Sequence, residues 1–149
     1  MSTLWILVAD AAVARILARP EPGADLVEVE QLTDAAAHAK RADLRRDAYG
    51  RRGGDDLRMG GNATSSASDD EQHREAAGFA ERVAARLAEA HQQGRFDALK
   101  LAADPRFLGL LRKALPRQVA DCVQDELDKD LVHASPRELT ERFFPARQA

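Results

Sequence analysis

The chain has 149 residues and a formal net charge of −3, with 44% hydrophobic and 32% charged residues, which is typical of one globular domain with a genuine core. The acidic balance argues against a surface that is basic throughout, so any binding of nucleic acid must be local. The apolar run at 4–9 is too short for a signal peptide or a membrane span, so we expect a cytoplasmic protein without a membrane partner.

Three short strands are predicted at the start of the chain. Residues 4–9 form a continuous apolar run, which is typical of a strand buried on both faces at the centre of a sheet. A second run at 13–18 ends before the Pro-Glu-Pro-Gly turn at 20–23, and residues 26–32 alternate between apolar and charged side chains. Because the connections are short, the three strands are predicted to form an antiparallel meander.

A basic, glycine-rich segment follows the meander. Residues 35–62 contain two Gly-Gly pairs and almost no large apolar side chain, so we predict an exposed, flexible loop over about 35–67. Its cations outnumber its aspartates and are Lys40, Arg41, Arg45, Arg46, Arg51, Arg52 and Arg58. A local positive charge on an acidic domain suits a phosphate-rich partner such as RNA, whereas the alternative is a solvated linker that contacts nothing.

A long helix is predicted from Asp69 to Gln93. Ser68 and Glu71 have the spacing of a capping box, and carboxylates in the first turn favour the positive end of the helix dipole. Gly94 is predicted to end the helix. The apolar residues at helical spacing, which should face the core, are Ala76, Phe79, Ala80, Val83, Leu87 and Ala90.

The remainder of the chain alternates strands and helices. A strand is predicted at 96–103, a helix begins after Asp104 and Pro105, a fifth strand runs from Val119 to about 125, and Ser135 opens the last helix. Strands joined through a helix lie parallel, so the order βββαβαβα predicts a five-stranded mixed sheet with strand order 3-2-1-4-5. This is an α/β (α+β) fold with ribonuclease H-like architecture, in a single domain over 1–149.

That architecture suggests one enzymatic hypothesis, a metal-dependent nuclease. Ribonuclease H-like nucleases hold two divalent metals with carboxylates at the ends of the first and fourth strands and on the first helix. Asp10 and Asp104 end the corresponding strands, and Glu71 or Glu75 is the helix candidate. Each aspartate has a structural alternative, because Asp104 before a proline is a good N-cap and Asp10 stands where a turn favours aspartate.

No other set of residues points to a common active site. The four histidines lack the spacing of zinc ligands, and no phosphate-loop or dinucleotide-binding motif is present. Cys122, the single cysteine, excludes an internal disulfide and is predicted on the fifth strand as a small core residue. We therefore predict neither a metal nor a cofactor.

The chain resembles the bacterial host attachment family, described as proteins required for attachment to host cells. The matching stretches are LWILVAD at 4–10, ARIL at 14–17, His73 and Phe79-Ala80 on the long helix, DPRFLGLLR at 104–112 and DELDKDL at 125–131. They are spread over nearly the whole chain in the expected order.

That family in turn resembles the middle domain of archaeal and eukaryotic peptide-chain release factors, which has the same βββαβαβα core. In those factors a Gly-Gly-Gln loop ahead of a long helix enters the peptidyl-transferase centre and helps water attack the ester of peptidyl-tRNA. Gly53 and Gly54 match the two glycines, and Asp55 replaces the glutamine. Because a carboxylate has no N–H to donate, the resemblance implies placement on the ribosome or tRNA more than it implies hydrolysis.

The sequence thus favours a release-factor-like domain that binds RNA or ribosomes through Lys40 to Arg58, with catalysis in doubt. One alternative is a protein-interaction module whose basic segment binds an unidentified protein partner. The other is the metal-dependent nuclease with Asp10, Glu75 and Asp104. Salt separates the first two, because counterion release makes binding to RNA salt-sensitive whereas burial of apolar surface does not.

Overall fold

The computed structural model of the protein describes residues 3–34 and 54–145. In chain order, the elements in these ranges are β1 (Leu4–Ala9), β2 (Val13–Ala18), β3 (Val27–Thr33), α1 (Gly54–Gln92), β4 (Ala98–Ala103), α2 (Pro105–Ala114), α3 (Arg117–Ala120), β5 (Val123–Leu127) and α4 (Pro136–Phe143). Within the same ranges, none of the helices has the length and apolar character needed to cross a bilayer.

The five strands form one mixed sheet in the order β3-β2-β1-β4-β5. β1 pairs antiparallel with β2 and parallel with β4, while β2 pairs antiparallel with β3 and β4 pairs parallel with β5. The predicted fold class, meander and strand order are confirmed. β1 is the central strand, in agreement with its unbroken apolar run. A central strand that is covered by helices on both faces has no solvent-facing side.

The two faces of the sheet carry separate hydrophobic clusters. Trp5, Leu7 and Ala9 of β1 point into the larger cluster, which contains α1 and α2, whereas Ile6 and Val8 point into the smaller one beneath α4. This alternation follows from the two-residue repeat of a strand. The residues predicted to face the core from the long helix are all buried, from Ala76 to Ala90.

The long helix α1 begins earlier than predicted. It starts at Gly54 instead of Asp69, so residues 54–67, predicted as part of the flexible loop, are helical, and Ser68 lies inside the helix instead of capping it. Glycines, threonine and serines lower the helix propensity of 54–68, but propensity is a weak preference, and no proline interrupts the helix before Gln92.

The carboxyl end of α1 agrees with the prediction. Gly94 adopts a positive φ of 73°, its N–H donates to the carbonyl of His91, and the N–H of Arg95 donates to that of Ala90. This pair of hydrogen bonds is a Schellman motif, which requires a residue that tolerates the left-handed conformation.

An ion pair attaches α1 to the edge strand β3. The guanidinium of Arg86 donates two hydrogen bonds to the carboxylate of Glu30, from Nε at 2.6 Å and from Nη2 at 2.8 Å. This bidentate interaction, above all its hydrogen bonds, lowers the pKa of Glu30.

The fifth strand was predicted too early in the chain. Val119, predicted to start it, is fully buried in the short helix α3, and β5 runs from Val123 to Leu127. Pro116 precedes α3 with φ −67°, which is compatible with the start of a helix. Val119 is therefore a buried residue of a helix and not of a strand. Cys122 therefore lies in the turn before β5 and not on the strand.

A buried arginine joins the meander to the loop before α4. Nη1 of Arg15 on β2 donates to the carbonyls of Val132 and Ala134, both at 2.7 Å, and Nε donates to Glu28 of β3 at 2.8 Å. Because a buried guanidinium must have its donors satisfied, Arg15 orders this loop against the sheet. No local sequence pattern indicated its role.

Candidate functional site

Aspartates follow four of the five strands at one edge of the sheet. β1, β3, β4 and β5 run in the same direction, so their carboxyl ends meet at this edge. Each strand is followed directly by an aspartate: Asp10, Asp34, Asp104 and Asp128. We call this the acidic edge. In open α/β sheets, ligands usually bind at the carboxyl ends of the strands. Whether each of these aspartates could bind a ligand or is structural depends on the hydrogen bonds that its side chain makes.

Asp10 is a structural acceptor in the turn between β1 and β2. Its Oδ1 accepts hydrogen bonds from the backbone N–H groups of Ala12 at 2.8 Å and Val13 at 2.9 Å, and its own N–H donates to the carbonyl of Val13. The residue is only 4% exposed. These interactions are those of an aspartate that closes a tight turn, the alternative that the sequence analysis weighed against a metal ligand.

Asp104 is the N-cap of α2. Its Oδ2 accepts a hydrogen bond from the N–H of Phe107 at 3.2 Å, and Pro105 occupies the first helical position. The register pairs Ala9 with Ala103, so Asp10 and Asp104 leave neighbouring strands side by side, as predicted. Each carboxylate nevertheless accepts hydrogen bonds from its own local backbone.

The predicted nuclease residues do not assemble into a metal site. Among residues 3–34 and 70–145, no three or more histidine, cysteine, aspartate or glutamate side chains lie close enough together to hold a metal ion. Asp10, Glu75 and Asp104 all fall in these ranges. The geometry of the described residues therefore gives the nuclease hypothesis no support.

Asp34 is a buried residue at the acidic edge that the sequence analysis did not single out. It is 8% exposed, its N–H donates to the carbonyl of Ala12 at 2.8 Å, and its carboxylate lies 3.7 Å from the guanidinium of Arg82 on α1. The only feature of the sequence that could have identified Asp34 is its position directly after a strand of alternating apolar and charged residues. Asp34 fixes the point at which the chain leaves the sheet toward the basic segment.

The predicted RNA-binding residues lie almost entirely beyond the part of the chain that the structure describes. Those outside are Lys40, Arg41, Arg45, Arg46, Arg51 and Arg52, together with Gly53 of the release-factor resemblance. Gly54, Asp55 and Arg58 fall in the first two turns of α1. Asp34 and Gly54 are thus the described positions on either side of these six cations.

Cys122 has the surroundings of a structural cysteine. Its Sγ lies 3.4 Å from the carbonyl oxygen of Gln118, and the residue is half-buried. Burial raises the pKa of the thiol, and the nearby carboxylates of Asp121 and Asp97 raise it further. Since the thiolate is the nucleophilic form, these surroundings do not activate Cys122.

A protein-family comparison identifies one relationship that covers almost the whole chain. The family model described as "Protein required for attachment to host cells" matches residues 5–143, from β1 through α4. No curated protein matches the chain. The description names a phenotype and gives no substrate, ligand or molecular partner.

Proposed function

The chain belongs to the host attachment family, and from this starting point we propose that it is a cytoplasmic RNA-binding protein that docks on ribosomes or tRNA through residues 40–58. The observation that carries the proposal is the distribution of charge. Seven cations and four aspartates give this segment a charge of +3, while the rest of the chain carries −6. Such segregation favours local contact with a polyanion and disfavours contact elsewhere.

The position of the segment in the fold supports this proposal. Six of the seven cations fall between Asp34, held at the acidic edge, and Gly54, the first residue of α1. The first buried residue described on α1 is Ala76, which lies 22 residues beyond Gly54. Gly54 is therefore roughly 33 Å along the helix axis from Ala76. The amino end of a helix favours phosphate, so cations ahead of Gly54 and the helix dipole would attract the same kind of partner.

Hydrolysis of peptidyl-tRNA is not included in the proposal. The release-factor resemblance supports placement on the ribosome through Gly53 and Gly54, since glycine lets the backbone approach RNA closely. Asp55 stands where those factors have glutamine. Its carboxylate cannot donate a hydrogen bond and is repelled by phosphates, so the chemical step lacks its usual side chain.

Co-sedimentation with bacterial ribosomes across a salt series tests the proposal. The variant replaces Arg45, Arg46, Arg51 and Arg52 by Ala. If each arginine contacts one phosphate, the slope of log K against log salt should fall by about 3 to 4 in magnitude. We expect the wild-type protein to pellet at low salt and the variant to remain in the supernatant.

A matched variant controls for the loss of four positive charges. It replaces four exposed arginines outside the segment, none of which forms an ion pair within the described residues, namely Arg106, Arg117, Arg137 and Arg142. This control variant should pellet like the wild-type protein. Absence of pelleting at low salt, or equal losses in the two variants, would contradict the proposal. Binding that persists at high salt would indicate a protein partner instead.

A further inference from the structure

We propose that the outer edge of β3 is an interface at which two copies of this chain pair antiparallel and join their sheets into one. β3 and β5 are the two edge strands of the sheet, so each has a row of backbone groups that no neighbouring strand satisfies. Such an edge is a template for pairing with another chain unless charges, a bulge or a covering element prevent it. The two edges differ in these protections.

β5 is protected against pairing. Its register with β4 is interrupted between Leu99 and Lys100, and Oδ1 of Asp125 accepts the N–H of Glu126 at 2.9 Å, so a side chain already satisfies one amide of this strand. Asp125 and Asp128 are exposed, and neither forms an ion pair within the described residues. These carboxylates would repel the same strand of a second copy.

β3 lacks charge protection within the described part of the chain. Its two carboxylates are neutralised inside the protomer, because Arg15 donates to Glu28 and Arg86 donates to Glu30. Val27, the first residue of the strand, is 49% exposed and is the one exposed large apolar side chain among the described residues. The strand therefore offers a partner an edge without proline and without an unpaired charge.

The second half of β3 has amides that face away from the sheet. Its register with β2 is regular over 30–33, and the N–H of Asp34 donates to the carbonyl of Ala12 on the β2 side at 2.8 Å. Because backbone groups alternate in direction along an antiparallel strand, the amides of Gln31 and Thr33 face away from β2. Both residues are exposed, and within the described part of the chain neither amide donates to another residue.

A second copy fits this edge because the outward groups are self-complementary. With Leu32 on a two-fold axis, Gln31 of each copy lies opposite Thr33 of the other, and each pair exchanges two backbone hydrogen bonds. The half-buried side chain of Leu32 then meets its own counterpart across the axis, which buries apolar surface on both copies.

The charges beside the axis match in the same register. Glu30 of one copy lies opposite Asp34 of the other, and each carboxylate has an arginine from α1. Arg86 donates to Glu30, and the guanidinium of Arg82 lies 3.7 Å from Asp34. The side chain of Arg82 is 57% exposed, so it is also available to the carboxylate of the second copy. A lysine- or arginine-rich peptide would instead meet these two arginines, which favours a second copy as the occupant.

Analytical ultracentrifugation of the full chain over a concentration series tests the inference. Because the paired segment is short, we expect a weak, reversible dimer with a dissociation constant on the order of 10 µM. The sample contains no RNA, so the outcome does not depend on the proposed RNA binding, and the two proposals can fail separately.

Two double variants at exposed positions test the register. Gln31→Glu with Thr33→Glu places like charges opposite each other in both pairs and should weaken association by about tenfold. Gln31→Glu with Thr33→Lys places opposite charges there and should associate at least as tightly as the wild type. Gln118→Glu with Gln124→Glu adds the same charge as the first variant at the other edge of the sheet, and it should change the affinity by less than about twofold.

Amide hydrogen exchange locates the interface on the wild-type protein. Exchange at Gln31 and Thr33 should slow as the protein concentration rises, whereas Leu32, whose amide faces β2, should be protected at every concentration. Circular dichroism confirms the fold of each variant. A wild-type protein that stays monomeric throughout the series, association without slower exchange at Gln31 and Thr33, or equal association of the first two variants would overturn the inference.

Discussion

Replacement of Asp10 tests whether this buried carboxylate is a structural acceptor, and the structure sets the size of the effect. Its Oδ1 accepts from the amides of Ala12 and Val13 at 2.8 and 2.9 Å. In Asp10→Ala both amides lose their acceptor inside the turn, and Ala12 is only 1% exposed. A buried donor left unsatisfied costs about 1–3 kcal/mol, so with one amide buried and one half-buried we expect the free energy of unfolding to fall by about 3 kcal/mol.

Asp10→Asn is the matched control. Its amide oxygen can accept the same two hydrogen bonds without the charge, and neutral hydrogen bonds are about half as strong as charge-assisted ones, so we expect a loss of about 1 kcal/mol. Urea-induced unfolding followed by circular dichroism measures the free energy of unfolding of both variants and of the wild type. The comparison requires that the three proteins have equal m-values. A loss below about 1 kcal/mol for Asp10→Ala, or equal losses for the two variants, would refute the assignment. A metal-ligand role predicts instead that Asp10→Asn abolishes magnesium-dependent cleavage of RNA.

Two further predictions concern ionisable groups. Because Arg86 lowers the pKa of Glu30, their interaction stabilises the protein above the usual glutamate value of 4.5 and is lost as pH falls through the lower folded pKa. The difference in urea midpoint between wild type and Arg86→Met should therefore be greatest at pH 7 and shrink below pH 4.5, and a constant difference would contradict this. Cys122, whose pKa is raised, should react with a thiol reagent at pH 8 much more slowly in the folded protein than in urea, and equal rates would show that the folded thiol is accessible and has ordinary reactivity.

Elements with a local chemical signal at their ends were predictable from the sequence. β1 and β2 have the predicted bounds, because Asp10 and the Pro-Glu-Pro-Gly turn interrupt their apolar runs. Asp104 caps α2, and Ser135 forms the predicted capping box with Glu138. Asp10, Asp104 and Ser135 each accept a hydrogen bond from a backbone N–H two or three residues further on, so the pattern and its cause are both local.

Other features depended on interactions that short patterns do not reveal. The start of α1 was misplaced because Ser68 and Glu71 have the spacing of a cap but lie within a continuous helix. Val119 was assigned to a strand because a buried β-branched residue is compatible with either secondary structure. At the opposite edge from the aspartates, the convergence of Arg19 and Lys100 on Phe144 joins three distant parts of the chain. Such groupings become visible only once the sheet order places their elements together.

The hydrogen bonds of Arg15 have a consequence for how the domain is completed during synthesis. Its carbonyl partner Val132 lies 117 residues further along the chain. At a translation rate of about 5–20 residues per second, the ribosome needs roughly 6 to 23 s to make that distance of chain after Arg15. A nascent meander can therefore pair Arg15 with Glu28, but the two carbonyl acceptors of Nη1 do not yet exist. The docking of the segment around Val132, and of α4 after it, should therefore come last in co-translational folding, and until then one face of the sheet lacks its cover.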